Sequence, residues 1–105
     1  MKKDIAILLP YKEKYTLKDA AAASIWVKDY LKKSSLSKQT VVFGNLPKTK
    51  KPLTKNFINI NLSNVRFKKN YFYTKRFYEN CLKYKYEVIE IHNRPESLIF
   101  LLKKN

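Results

Sequence analysis

The chain has 105 residues, 45% hydrophobic and 14% aromatic, with a formal net charge of +15. That length holds a single domain, and that apolar content excludes intrinsic disorder despite the charge. With Cys81 its only cysteine, an intramolecular disulfide and a cysteine metal cluster are excluded, which fits a reducing compartment.

Ile5 to Leu9 is a continuous apolar run bounded by Asp4 and Pro10, the pattern of a strand buried on both faces. It is too short for a signal-peptide core or a membrane span. Tyr11 to Thr16 reads as a polar loop. Leu17, Ala20, Ala23, Val27, Tyr30 and Leu31 then recur at helical spacing, which predicts a helix over 17–33 with Thr16 as its N-cap. After a loop over 34–38, Thr40 to Phe43 predicts a second strand stopped by Gly44 and Asn45. Leu46 to Asn56 carries two prolines and four lysines and reads as a solvated loop. Phe57, Ile58, Ile60 and Leu62 predict a third short strand.

Tyr71, Phe72, Lys75, Arg76, Tyr78, Glu79 and Leu82 combine helical spacing with an aromatic stripe. They predict a second helix over 69–85, capped by Asn70, and a stripe of this kind is core before it is a ligand platform. Tyr86 to Ile91 is the last strand. Pro95 suits the first turn of a third helix with Leu98, Ile99, Leu101 and Leu102 on its buried face. This alternation predicts one α/β domain, a Rossmann-like parallel sheet with flanking helices and right-handed crossovers.

Open parallel sheets bind ligands beyond the carboxyl ends of their strands. Two segments fall there, Pro10 to Thr16 and His92 to Glu96. His92, the only histidine, could donate to a sugar hydroxyl or, protonated, hold a phosphate; a purely structural role competes with either. Asn93 adds a donor and an acceptor, Arg94 a guanidinium fork, and the helix start behind them a positive dipole end. Glu13 could accept hydrogen bonds from hydroxyls, or pair with Lys12 or Lys14 at the surface.

Several chemistries drop out. Gly44 is the only glycine, so there is no dinucleotide fingerprint and no phosphate-binding P-loop. One histidine and one cysteine make no ordinary zinc site. No spacing supports a serine or cysteine nucleophile paired with His92. No catalytic residue, metal or cofactor is therefore assigned.

The charge has two readings. Twenty-three basic residues against eight acidic ones suggest an anionic partner, either nucleic acid or a membrane surface. Yet only Arg66, Arg76 and Arg94 are arginine, the residue favoured for bidentate recognition. A mixture rich in lysine, asparagine and isoleucine is also what an AT-rich genome writes. Nucleic acid is the less favoured partner, because the aromatics that could stack bases fall on a helix expected to face the sheet.

The stretches IAILLPYKEKYT, AAAASIWVKDYL, TVVFGN and YEVIEIHNRPESL, in this order, resemble the amino-terminal domain of GT-B-type glycosyltransferases of the retaining family 4 class. The strand-IHNRP-helix segment is the most specific part, followed by the strand-Pro-Tyr-x-Glu loop. The resemblance implies an incomplete half of a GT-B fold, a truncated acceptor-side domain over 1–105. It implies a nucleotide-sugar donor and a glycan or lipid-linked acceptor. Pro10, Tyr11 and Glu13 would sit in one cleft loop and His92, Asn93 and Arg94 in another, as acceptor- or sugar-binding residues. A separate donor-binding subunit is the implied partner, and the cytoplasm, at the inner face of the membrane, the implied location. The chain departs from the family at Asp19 to Ser24, where alanines replace glycine-containing sequence and a Cβ pushes a ligand back. It also ends before any donor-binding domain, so it should be inactive alone. The competing expectation is a non-catalytic basic module that docks on an anionic membrane.

Overall fold

The computed structural model describes residues 4–12, 14–16, 22–33, 37–47, 50–62 and 64–92. Strand β1 (Ile5–Leu8) lies inside a four-stranded, all-parallel sheet. Its neighbours are β2 (Thr40–Gly44) and β4 (Val88–Ile91), and β3 (Phe57–Asn59) extends the β2 side, giving the order β3-β2-β1-β4. Ile5 stands level with Thr40 on one side and Val88 on the other. Among the described residues two helices flank the sheet, α1 (Ala22–Lys33) and α2 (Lys69–Tyr84), and a short 3-10 turn (Ser37–Gln39) leads into β2.

The unbroken apolar run of β1 follows from cover on both faces. Ala6 and Leu8 share a core with Val41, Phe43, Tyr73 and Phe77, whereas Ile7 and Leu9 share one with Val27, Leu31 and Val42. Successive strand residues point to opposite faces, so α1 and α2 cover opposite sides. The β1–β2 and β3–β4 connections also run in opposite directions across the sheet. Opposite direction on the opposite face gives both the same hand, as parallel crossovers require.

Helix α2 buries Tyr73 and Phe77, with Cys81 partly buried one turn further on, the four-residue spacing of a core-facing stripe. Phe77 meets Phe43 edge to face at 4.9 Å and is fully buried. Truncating it to alanine costs about 3–5 kcal/mol. The stripe read from the sequence lies largely on the other face: Tyr71 and Leu82 are exposed and Tyr78 is half-buried, with only Phe72 of that set packing on the core, because the buried register runs through Tyr73 and Phe77.

Four boundaries differ from the sequence expectations. Asn70 does not cap α2; Lys68 stands at the cap in the left-handed region (φ 51°), with no side-chain capping bond, and Asn70 lies inside the helix with its carbonyl accepting from the Thr74 hydroxyl at 2.8 Å. Strand β3 stops at Asn59, because Ile60 and Leu62 turn inward to pack with Phe77. Strand β4 begins at Val88. Glu87 and Val88 both donate their N–H to the Asp4 carbonyl, while Tyr86 packs its ring on Phe43. The 46–56 loop is not wholly solvated, since Leu46 is buried and Leu53 packs under α1. The expected first turn of the first helix (17–21), most of the 34–38 loop and the helix after Pro95 lie outside the described residues.

Gly44 has a packing role at the end of β2. A Cβ there would sit 3.0 Å from the Phe57 ring, which stacks on Tyr15 at 5.8 Å. The Tyr15 hydroxyl lies 3.0 Å from the Thr54 hydroxyl and so finds a partner despite its burial. Among the described residues no helix is long and apolar enough to cross a membrane.

Candidate functional site

β1 and β4 are parallel neighbours, so their carboxyl ends lie side by side at the end of the sheet where open parallel sheets bind ligands. β1 runs out through Leu9, whose N–H still donates to the Phe43 carbonyl at 3.0 Å. Pro10 follows and is buried. It brings no N–H to a place where the ladder has ended, so no donor is stranded there. At the end of β4 the His92 N–H donates to the Leu8 carbonyl at 3.1 Å and closes the ladder.

The two aromatic side chains at this end are held by different helices. The Tyr11 ring rests against Tyr73 of α2, with centroids 6.1 Å apart. The His92 ring meets Trp26 of α1 at 5.4 Å, and Trp26 stacks almost flat on Tyr30 at 5.5 Å. Tyr11 and His92 thus flank the end of the sheet from opposite faces. His92 Nε2 is buried, with no hydrogen-bond partner among the described residues; Glu90 Oε1, at 3.8 Å, is too far to accept one. The structure brings Pro10, Tyr11 and His92 to one end of two adjacent strands. Glu13, Asn93 and Arg94 lie outside the described residues.

A cleft of about 310 Å³ adjoins Tyr11 on the α2 side, bounded also by Asn45, Leu46, Asn61, Val65 and Lys69. Its walls are tied by side-chain amides. Asn45 Nδ2 donates to the Ile60 carbonyl at 2.7 Å, and Asn59 Oδ1 accepts from the Leu46 N–H at 2.7 Å. Behind Tyr11, Tyr73 donates its hydroxyl to the Leu9 carbonyl at 2.5 Å. Lys14 Nζ approaches the Asn45 carbonyl at 3.5 Å, and Lys12 Nζ sits 5.9 Å over the Tyr11 ring. No protein-family model, curated protein or solved structure matches the chain.

The sequence reading missed these asparagines. Asn45 had served only as a strand stop, and its pairing with the β3 end depends on a register that pattern alone does not give. A second hollow of about 340 Å³ lies at the opposite end of the sheet, beside Lys28, Lys32, Lys38 and Lys55. It adjoins the carboxyl-terminal turns of α1, the negative end of that helix dipole, which lysines complement and a bound anion would meet unfavourably. No site is assigned to it. Among the described residues no three His, Cys, Asp or Glu side chains cluster as a metal would require.

Titration tells against chemistry at Cys81. Burial pushes its thiol up to about 11, which suppresses the nucleophilic thiolate near neutral pH.

Proposed function

We propose that this chain forms the amino-terminal, acceptor-side part of a GT-B-type glycosyltransferase that moves a sugar from a nucleotide-sugar donor to a glycan or lipid-linked acceptor. The observation that carries the reading is the strand order β3-β2-β1-β4, which brings Pro10, Tyr11 and His92 to the adjacent carboxyl ends of β1 and β4. The motifs of the resemblance fall at those same strand ends. Tyr11, beside a cleft walled by amides and carbonyls, offers the ring face and hydrogen-bonding surface that sugars use. His92 carries a buried ring nitrogen with no hydrogen-bond partner among the described residues. The resemblance adds Glu13, Asn93 and Arg94, which lie outside the described residues, as further sugar-binding candidates.

On this reading the nucleotide diphosphate is held by a donor-binding unit, either a separate subunit or a continuation of the chain. The assembled enzyme works in the cytoplasm at the inner face of the membrane. The test is a transfer assay with a panel of nucleotide sugars and membrane-lipid extracts, run with this chain alone and with its donor-binding unit. The expected result is no transfer by the chain alone, transfer by the pair, and at least a tenfold loss in the pair on Tyr11→Ala or His92→Ala. Transfer by the unassisted chain, or full activity in both variants, contradicts the reading.

A further inference from the structure

Phe67 is the most exposed large apolar side chain among the described residues, at 80%. It sits in the turn before α2 with Arg66 on one side and Lys68 and Lys69 on the other, all three exposed. Lys68 holds a left-handed backbone conformation at φ 51°, which a residue with a Cβ adopts at some cost. Phe67, Phe72, Arg66 and Arg76 border one shallow hollow, and Tyr71, packed edge-on to Phe72 at 5.2 Å, extends the apolar surface. From Asn64 to Tyr78 the chain carries five basic residues, Arg66, Lys68, Lys69, Lys75 and Arg76, and no acidic one.

We propose that this tip docks the protein on an anionic lipid bilayer, with Phe67 entering the headgroup layer and the surrounding cations lying on its negative surface. An aromatic ring ringed by long basic side chains suits that boundary, because the ring enters the apolar layer while the charged heads remain in water. The surface potential of anionic lipid acts on all five cations at once. Single-stranded nucleic acid fits less well. It needs successive stacking platforms, whereas Tyr73 and Phe77, the next aromatics on α2, are buried in the core. The position is also informative. Val65 and Lys69 border the cleft at the carboxyl ends of the strands, so docking through Phe67 sets that cleft beside the bilayer. The inference rests on exposure and charge, independently of the sugar-transfer reading.

The test is co-sedimentation of the whole chain with vesicles of phosphatidylcholine, with and without phosphatidylglycerol, at low and high salt. Each basic group near an anionic surface strengthens partition about fivefold, so Arg66→Gln/Lys68→Gln/Lys69→Gln weakens binding about a hundredfold. Phe67→Ala weakens it about tenfold with every charge retained. Lys28→Gln/Lys32→Gln/Lys55→Gln removes the same charge from the other end of the sheet and changes binding less than fivefold. In a Trp26→Phe background, Phe67→Trp gives emission that shifts to the blue on anionic vesicles only. Equal losses in the two triple variants, an unaffected Phe67→Ala, or a tryptophan that stays in water overturns the proposal. So does salt-sensitive capture of a single-stranded oligonucleotide through the same residues, with vesicles left unbound.

Discussion

Tyr73 joins the core to the candidate site through one hydroxyl. Its ring is fully buried and its O–H reaches the Leu9 carbonyl, the last acceptor of β1 before Pro10 turns the chain. Tyr73→Phe keeps the ring and strands that carbonyl, which costs about 1–3 kcal/mol. Chemical denaturation should register this loss, and the amides of Leu9 and Tyr11 should shift most in the NMR spectrum; a variant as stable as the parent would mean that water already serves the carbonyl. Cys81 and Tyr86 yield a second expectation at this scale. Burial raises the Cys81 thiol from 9.0 to about 11. Burial, then the neighbouring Cys81 and Tyr84, raises the Tyr86 phenol from 10.0 to about 12. Burial also raises Tyr15, opposed by its hydrogen bond with Thr54. Below about pH 9 these groups are protonated in the folded and unfolded chains alike. Between about pH 9 and 12 the unfolded chain releases protons that the folded chain keeps, so stability falls as pH rises through that window. Thermal melts should be flat from pH 7 to 8.5 and then drop, and Tyr86→Phe should soften the drop. Near pH 8 the thiolate is about a hundredfold scarcer than at an ordinary cysteine, and disulfide reagents should label Cys81 correspondingly slowly until denaturant is added.

The helices and strands were legible wherever burial imposed a period. The continuous apolar run of β1 and the β-branched run of β2 each named an element correctly, because both sheet faces are covered. Helical spacing through Tyr71, Phe72, Tyr78 and Leu82 named α2 but not its buried face, which runs through Tyr73, Phe77 and Cys81. Ends were less legible. Lys68 and Lys85 bracket α2 in left-handed conformations that glycine or asparagine would ordinarily advertise, so no residue type marked either boundary. Asn70 looked like a cap from its side chain alone, although the helix had already begun. The same mismatch gives a prediction. The Lys85 N–H bonds back to the Cys81 carbonyl at 2.8 Å with φ 51°, and glycine adopts that geometry without a Cβ clash. Lys85→Gly should therefore stabilise the protein by about 0.5–1 kcal/mol, read as a higher denaturant midpoint. A lower midpoint would mean that the lysine side chain contributes more than its backbone strain costs.

For the whole molecule, strand order matters more than any single motif. The alternation of elements announced a parallel sheet, but not that β4 would return beside β1, and that return sets their carboxyl ends side by side. Pro10, Tyr11 and His92 were therefore legible as residues at strand ends. Their placement at two adjacent strand ends, with the Tyr11 and His92 rings held from opposite faces by Tyr73 and Trp26, was not. The amide-tied cleft beside Tyr11 was hidden for the same reason, since Asn45 and Asn59 meet only through the β2–β3 register. The basic surface divides into unequal parts once folded. The lysines near the end of α1 complement a helix dipole, whereas those around Phe67 surround an exposed ring.

The central claim is that a sugar acceptor binds at the carboxyl ends of β1 and β4. Its most direct test is an amide NMR titration of the isotope-labelled chain with maltose, chitobiose and mannobiose in turn. The account predicts saturable shifts for at least one of these sugars, centred on Tyr11, Asn45 and His92, with the Lys32 and Lys55 amides at the far end unmoved. Shifts centred on that far end, or no saturable response at Tyr11 and His92 to any of the three, would contradict it.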